Sequence, residues 1–266
     1  MLKKMLSFIG AYKLYEKWLW QQVKGGLKPE HVAIILDGNR RWANGQESDP
    51  MLIQDKWGHR RGADTVELLL DWTHLIGLKY VTLYTFSTEN FSRKSEEVEK
   101  IMQIAEERFR KLLKDERIHR DKVHVKIIGR VNLLPKGLQE AIADVEKATE
   151  NYDCYFWNFA FAYGGRAEIV DAAKSIAEKV KNGELEIADV TESTFQKYLY
   201  TSHMVDKQDP DMIIRTSGEE RLSGFLLWQA AYSELLFLDV YWPDFRLIDL
   251  LRAIRTFQLR KRRFGA

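Results

Sequence analysis

His31-Val-Ala-Ile-Ile-Leu-Asp37-Gly38-Asn39-Arg40-Arg41-Trp42-Ala43 is the stretch whose reading decides how this chain folds. Val32 to Leu36 is a short, continuous apolar run of the kind that fills a strand covered on both faces. Asp-Gly-Asn then breaks the run and a basic segment follows, so the natural geometry is a strand-to-helix turn.

Outward from this strand, β-rich runs recur at Tyr80 to Phe86, Val123 to Ile128, Tyr155 to Phe161 and Met212 to Ile214, with a further candidate near Leu235 to Val240. Between them, Arg61 to Ile76 sets Ala63, Val66, Leu69, Leu70 and Thr73 on one helical face. Glu96 to Glu116 does the same with Val98, Ile101, Ile104 or Ala105, Phe109 and Leu112. Strands alternating with helices of this length are crossover units, which make parallel pairs with right-handed connections. The expectation is a single α/β domain with a mostly parallel central sheet covered by helices, and ligands at the carboxyl ends of its strands.

The 266 residues, 45% hydrophobic and 30% charged, suffice for one such core. Lys and Arg number 41 against 39 Asp and Glu, a formal net charge of +2, so no global field favours nucleic acid and any anion site must be local. Cys154 is the one cysteine, which excludes an intrachain disulfide or a polythiolate zinc site and fits a reducing, cytoplasmic setting. No internal repeat or Pro- and Gly-rich linker appears.

Residues 1–30 read as an amphipathic helical segment ahead of the domain. Leu2, Met5, Phe8, Ile9, Tyr12, Tyr15, Trp18 and Leu19 recur at near-helical spacing among Lys3, Lys4, Lys13, Glu16 and Lys17. Charge interrupts the run too often for a bilayer span, and no small-residue cleavage site follows. Two destinations stay open: packing on the domain or a partner, and peripheral contact with a membrane, which the Trp and Lys content suits. Asn44 to Gln54, with Gly45, Asp49 and Pro50, reads as a loop. The basic end, Arg252, Arg255, Arg260, Lys261, Arg262 and Arg263, reads as a solvated helix end or a contact with phosphate or membrane.

At the Asp37 turn, Gly38 lets backbone approach a ligand, the following amides can face an anion, and Arg40 or Arg41 can bind a diphosphate. Asp37 beside such a site suggests Mg2+, which takes one or two carboxylates, waters and phosphate oxygens. Read alone, Asp-Gly-Asn is more often only a capped turn, so its neighbours carry the case. His59, Arg60 and Arg61 open a helix, where cations oppose the dipole unless an anion sits there. Ser87, Thr88, Asn90 and Arg93 follow the second strand, although a helix cap explains that segment by itself. Arg215, Arg221 and Ser223 suit a second diphosphate. Glu234 lies in an apolar run and needs an arginine or a metal, while Tyr163 to Arg166 reads as a turn with Arg166 near the site.

Five segments in this order, Asp37-Gly-Asn, Gly58-His59, Phe86-Ser-Thr-Glu-Asn90, Arg215 to Ser223 and Trp228 to Glu234, resemble the motifs of the cis-prenyltransferases, the undecaprenyl diphosphate synthase-like proteins. The likeness runs from about His31 to Phe245. It implies that 31–266 is a catalytic domain with an apolar tunnel, working as a homodimer with Mg2+. It also implies isopentenyl diphosphate and an allylic prenyl diphosphate as substrates, and a Z-polyprenyl product that feeds lipid-carrier synthesis.

Carried over position by position, the resemblance has Asp37 organise Mg2+ while Gly38, Asn39, Arg40, Arg41 and His59 hold the allylic diphosphate beside Trp42. Ser87, Thr88 and Glu89 contact substrate, followed by Phe91 and Arg93. Asn90 matches a position given a proton-abstracting role, which a neutral amide serves more easily by positioning diphosphate or water. Arg215, Arg221, Leu222 and Ser223 bind isopentenyl diphosphate, and Glu234 reaches the Mg2+ of the partner subunit.

Arg40, Ser217 and Glu220 depart from the bacterial pattern, where a small residue, a glycine and a histidine are usual. With the long loop from Asn44 to Trp57, which offers Asp55 and Lys56, and the amino-terminal segment, they lean toward the archaeal branch. Geranylgeranyl diphosphate is a usual starter there, and farnesyl diphosphate is the other candidate. No Asp-Asp-x-x-Asp run of the trans-prenyltransferases occurs. Two rival readings are a non-catalytic scaffold subunit of a prenyltransferase complex and a phosphate-binding hydrolase, the latter without an evident nucleophile. Product length depends on the tunnel floor, with Ile101, Ala105, Phe109 and Leu112 as wall candidates or plain core.

Overall fold

The computed structural model describes residues 11–45 and 58–260. Leu2, Met5, Phe8 and Ile9, the loop positions Asp49, Pro50, Asp55 and Lys56, and Lys261, Arg262 and Arg263 lie outside the described residues. The chain runs α1 (Ala11–Val23), β1 (His31–Ile35), α2 (Asn39–Gly45), α3 (Gly58–Ile76), β2 (Tyr80–Ser87), α4 (Ser95–Leu112) and α5 (Glu116–Arg120). It continues through β3 (Val123–Ile128), α6 (Lys136–Thr149), β4 (Tyr155–Tyr163), α7 (Gly165–Lys181), α8 (Glu192–Gln196), β5 (Met212–Arg215), β6 (Glu234–Phe237) and α9 (Leu247–Leu259).

The strands form one sheet in the order β3-β4-β2-β1-β5-β6, and every neighbouring pair is parallel. All five residues of β1 are buried, as its unbroken apolar run requires of a central strand. Alternate side chains serve opposite faces. Val32 and Ile34 join Leu69, Leu83, Phe86, Phe159 and Leu250 on one side, while Ala33 and Ile35 join Tyr84, Ile213, Phe225 and Leu226 on the other.

Register fixes the site. Ile35 lies opposite Tyr84 of β2 and Arg215 of β5, so the chain leaves β1 and β5 at the same level of the sheet. It leaves β1 toward β2 and β5 toward β6, in opposite directions. Such a switch point opens a crevice at the strands' carboxyl ends, and Asp37 stands in it.

The amino-terminal helix packs on the domain. Leu19 and Val23 of α1 are wholly buried, α1 lies against α9, and Arg246 and Arg255 stack over Tyr12 and Trp18 at 5.1 and 4.8 Å. Leu14 and Tyr15 face outward. No helix among the described residues is long and apolar enough to cross a membrane.

On the sheet face bearing Ala33, His31 contacts Thr82 Oγ1 through Nε2 at 2.8 Å. Asn158 joins them, donating to Thr82 Oγ1 at 3.1 Å while its Oδ1 contacts His203 Nε2 at 2.7 Å. Burial, offset in part by Asp211, lowers the pKa of His31 to about 4, and burial followed by the charges of His124 and Lys126 lowers His203 to about 4 as well. Both folded values lie below the ordinary 6.5, so the unfolded chain takes up these protons first. Their contribution is complete above about pH 6.5 and is lost as pH falls toward 4. Urea titrations should show roughly 2–3 kcal/mol less stability per histidine at pH 4.5 than at pH 7. In His203→Gln the difference should shrink by one such increment, and an unaltered pH slope would show that His203 is not buried neutral.

Candidate active site

The backbone at Asp37 is pinned from β5. Thr216 Oγ1 accepts from the Asp37 amide at 3.0 Å and donates to its carbonyl at 2.7 Å, and the Trp242 amide donates to the same carbonyl at 3.0 Å. Gly38 turns the chain with φ +103°, and a Cβ there would lie 2.7 Å from the Tyr241 ring, so the position admits only glycine without rearrangement. The Gly38 amide donates to Asp37 Oδ1 at 2.7 Å.

Asp37 Oδ2 accepts from Arg215 Nη2 at 2.8 Å and from Arg41 Nη2 at 3.3 Å. Arg215 is 4% exposed, and its Nη1 donates to Ser223 Oγ at 2.8 Å and to the Arg221 carbonyl. Burial by itself would raise the Asp37 pKa. The hydrogen bond and charge of Arg215, the Ser217 hydroxyl and the Gly38 amide outweigh it and hold the carboxyl below its ordinary value. Asp37 is therefore ionised at neutral pH.

Two groups of cations flank Asp37, each balanced by a carboxylate. On one side Glu97, in the first turn of α4, accepts from Arg93 at 3.1 Å and contacts His59 at 3.4 Å, with Arg40 at 3.9 Å. Burial, and next the charge of Arg93, push the His59 pKa down against the pull of Glu97, so the imidazole is neutral at pH 7. On the other side Glu219 accepts from Arg41 at 3.1 Å and from Arg221. Arg41 also donates to Ser217 Oγ at 2.7 Å and lies 5.8 Å from the Tyr241 ring centre.

One cleft of about 1050 Å³ gathers Asp37, Gly38, Asn39, Arg40, Arg41, His59, Ser87, Thr88, Glu89, Asn90, Arg93, Arg215, Arg221 and Ser223. Arg166 lines it too. Four expected residues stand elsewhere. Trp42 is buried, Phe91 packs edge-on against Phe86 at 5.0 Å, and Leu222 packs beside Phe225 and Leu226. Glu234 opens β6 opposite Met212, at the far end of the sheet from Asp37, where Arg260 donates to it at 2.6 Å. Asn90 Oδ1 accepts from the Ser87 amide at 3.0 Å, so its NH2 group is the one left for a ligand. The sequence reading missed Glu97 and Glu219. Their signal was faint, since Glu97 looked like an ordinary acid in a helix's first turn.

Among the described residues no group of three or more His, Cys, Asp or Glu could hold a metal. Asp37 offers one ionised carboxylate in a cation-lined cleft, which fits Mg2+ shared with phosphate oxygens and water and does not fit a cage built by protein alone.

Beside this cleft, and sharing Leu36, Asn39, His59, Thr85 and Ile101 with it, lies an apolar cavity of about 150 Å³ between α3 and α4. Val66 and Leu70 wall it from α3, Ile101, Ala105, Phe109 and Leu112 from α4, and Trp157, Phe159 and Phe161 underlie it from the sheet. The four residues of α4 expected at a tunnel wall thus line a cavity that adjoins the cationic cleft.

A family model described as "Putative undecaprenyl diphosphate synthase" matches residues 35–265. A tritrans,polycis-undecaprenyl-diphosphate synthase (geranylgeranyl-diphosphate specific) of Pyrococcus abyssi is 52% identical over 260 residues, covering 98% of this chain and 96% of its own. One of the same name from Methanopyrus kandleri is 54% identical over 261 residues, covering 98% of this chain and 93% of its own. Among solved structures, lavandulyl diphosphate synthase from Lavandula x intermedia in complex with dimethylallyl diphosphate superposes with a TM-score of 0.83 at 36% identity, over 90% of this chain and 99% of that one.

The seating of α3 on the Asp37 turn gives a first test. A Cβ at Gly58 would lie 1.9 Å from the Asn39 carbonyl oxygen, so Gly58→Ala must push the start of α3, with His59, away from the cleft. The expected cost is about 1–3 kcal/mol in stability, together with weaker binding of inorganic pyrophosphate. Melting and calorimetric titration measure the two, and a variant unchanged in both would show that this close approach does not position His59.

Proposed function

Because this chain belongs to the undecaprenyl diphosphate synthase family of cis-prenyltransferases, we propose that it condenses isopentenyl diphosphate repeatedly onto geranylgeranyl diphosphate to give a long Z-polyprenyl diphosphate. One observation carries the reading: two groups of cations flank Asp37, and an apolar cavity adjoins the group around His59. That is the layout needed for two diphosphates, one of them bearing a hydrocarbon tail. The geranylgeranyl preference rests on archaeal relatives specific for that starter.

In this reading Arg40, His59 and Arg93, joined by Arg41 from the Glu219 side, hold the allylic diphosphate, with its tail between α3 and α4, while Arg215, Arg221 and Ser223 hold isopentenyl diphosphate. Glu97 and Glu219 balance these cations when no substrate is present, and each diphosphate takes over the donors that a carboxylate had engaged. Mg2+ held by Asp37 and diphosphate oxygens would stabilise the charge gathering on the leaving pyrophosphate. The allylic C–O bond breaks with its electron pair going to pyrophosphate, the isopentenyl double bond forms the new C–C bond, and a proton is lost to a pyrophosphate oxygen. The chain's part is to fix the reactants and to offset charge with donors already in place. Asn90, its carbonyl engaged by the Ser87 amide, positions a diphosphate or water through its NH2 group.

Glu234 sits at the wrong end of its own sheet to meet Asp37, so any role at Mg2+ belongs to a second subunit and makes a homodimer part of the proposal. The segment 1–30 is accessory to the catalytic domain 31–266. The exposed Leu14, Tyr15 and Trp18 of α1, with Lys13 and Lys17 beside them, support peripheral contact with a membrane. The scaffold alternative draws no support from relatives named as synthases.

Incubating the purified protein with labelled isopentenyl diphosphate, Mg2+ and either geranylgeranyl or farnesyl diphosphate should give a polyprenyl ladder, faster with the geranylgeranyl starter. Asp37→Ala should lose at least roughly 100-fold in rate. Folded wild-type protein that makes no product and binds neither diphosphate would overturn the synthase reading in favour of the scaffold.

A further inference from the structure

The apolar cavity is closed along one side by charge. On α3, Arg60, Asp64, Glu67 and Asp71 fall in a single stripe, and α4 and α5 meet that stripe with the opposite charges. Arg60 pairs with Glu107 at 3.1 Å, Lys111 with Glu67 at 2.7 Å, and Arg117 with Asp71 at 2.8 Å. Arg108 bridges Asp64 at 2.7 Å and Glu67. Two helices that border a hydrocarbon cavity are thus laced by ion pairs at positions where apolar side chains could interlock.

Arg108 is the odd member. It occupies the apolar stripe of α4, between Ala105 and Leu112, and lines the cavity. Its side chain is 19% exposed, and its Nε is buried without a hydrogen-bond partner. Glu97, which receives His59 at the anion end, lies eleven residues earlier, about 16 Å along the helix at 1.5 Å per residue.

We propose that Arg108, clamped by Asp64 and Glu67, is a product-length determinant: the closure that a growing hydrocarbon meets and has to displace. The inference rests on the synthase reading above. A tail advancing from His59 passes Ile101 and Ala105 and gains burial at each step. At Arg108 it must part the guanidinium from its carboxylates and cover it from water, which an unpaired charge resists. The pairs are partly exposed and individually weak, so the closure yields, and it shapes a distribution of lengths without imposing a sharp end.

The test compares product ladders from geranylgeranyl and labelled isopentenyl diphosphate, with the rate of the first condensation and the melting temperature followed in parallel. Arg108→Ala should move the main product longer by at least one isoprene unit while the first condensation stays within about twofold of wild type. Arg108→Lys, which keeps the charge, should stay close to the wild-type ladder. Asp64→Asn with Glu67→Gln, which preserves side-chain shape and removes the clamp, should lengthen the product by a second route. Added salt, which screens the pairs, should lengthen the wild-type product and leave that of Arg108→Ala unmoved. The same ladder in the alanine and clamp variants, or a lysine variant that lengthens as much as alanine, overturns the closure. A wild-type protein that makes no polyprenyl product overturns the synthase reading itself and this inference with it.

Discussion

Arg215 ends β5 with its guanidinium buried, and a charge in that position needs close partners. Asp37 answers it at 2.8 Å, Ser223 at 2.8 Å and the Arg221 carbonyl beside them, while Nε is buried without a hydrogen-bond partner. The pair exists because β1 and β5 run parallel in a register that sets Ile35 against Arg215, which brings the residue just past β1 level with the end of β5. Breaking it from either side would strand the other partner, a loss of about 3–5 kcal/mol for a buried pair and less here, because Asp37 is 29% exposed. The same contact that knits two strands keeps the carboxylate ionised and aimed into the cleft, so fold and chemistry share one interaction.

Around this pair the cleft is poised by balance. Cations gathered this closely would repel one another, and Glu97 and Glu219 relieve that repulsion. Backbone strain gathers in the same place. Ser217 and Ser223 adopt φ of +79° and +49°, in the left-handed region that glycine enters freely. Each costs on the order of 1 kcal/mol. For Ser217, whose amide bonds Val240 at 2.7 Å, the compensation is a hydroxyl at 2.7 Å from Arg41, a contact that a glycine at this position would not supply.

The sheet was legible because parallel strands buried on both faces leave unbroken apolar runs, as Val32 to Leu36 does, and because Asp37, Ser87 and Arg215 each close such a run. The cleft residues were legible because parallel strands deliver their carboxyl ends to one edge. Strand order was harder to read, whereas Glu234, just ahead of the run from Leu235, falls at the opposite end by the same rule. Glu97 escaped because its contact with His59 comes from a separate element, and an acid early in a helix, four residues after Arg93, already has a dipole and a local partner to explain it. The destination of α1 turned on Leu19 and Val23, whose burial against α9 no local pattern fixes.

The charged stripe on α3 escaped for a related reason. Arg60, Asp64, Glu67 and Asp71 look like a solvated face until α4 is laid against them, and the energetics then explain why charge suits that seam. A cavity of about 150 Å³ holds something the size of benzene, so a polyprenyl tail has to enlarge it. Burying one five-carbon isoprene unit is worth roughly 4 kcal/mol, whereas a partly exposed ion pair contributes about 1 kcal/mol or less. A seam of interlocked leucines would cost as much to open as the tail returns on entering, and would expose apolar surface on both helices. A seam of ion pairs opens at small cost, because each separated charge finds water at the rim, and it closes again after product leaves. Arg108, set among apolar neighbours and the least exposed of these cations, opens least readily, and there resistance to the growing chain concentrates.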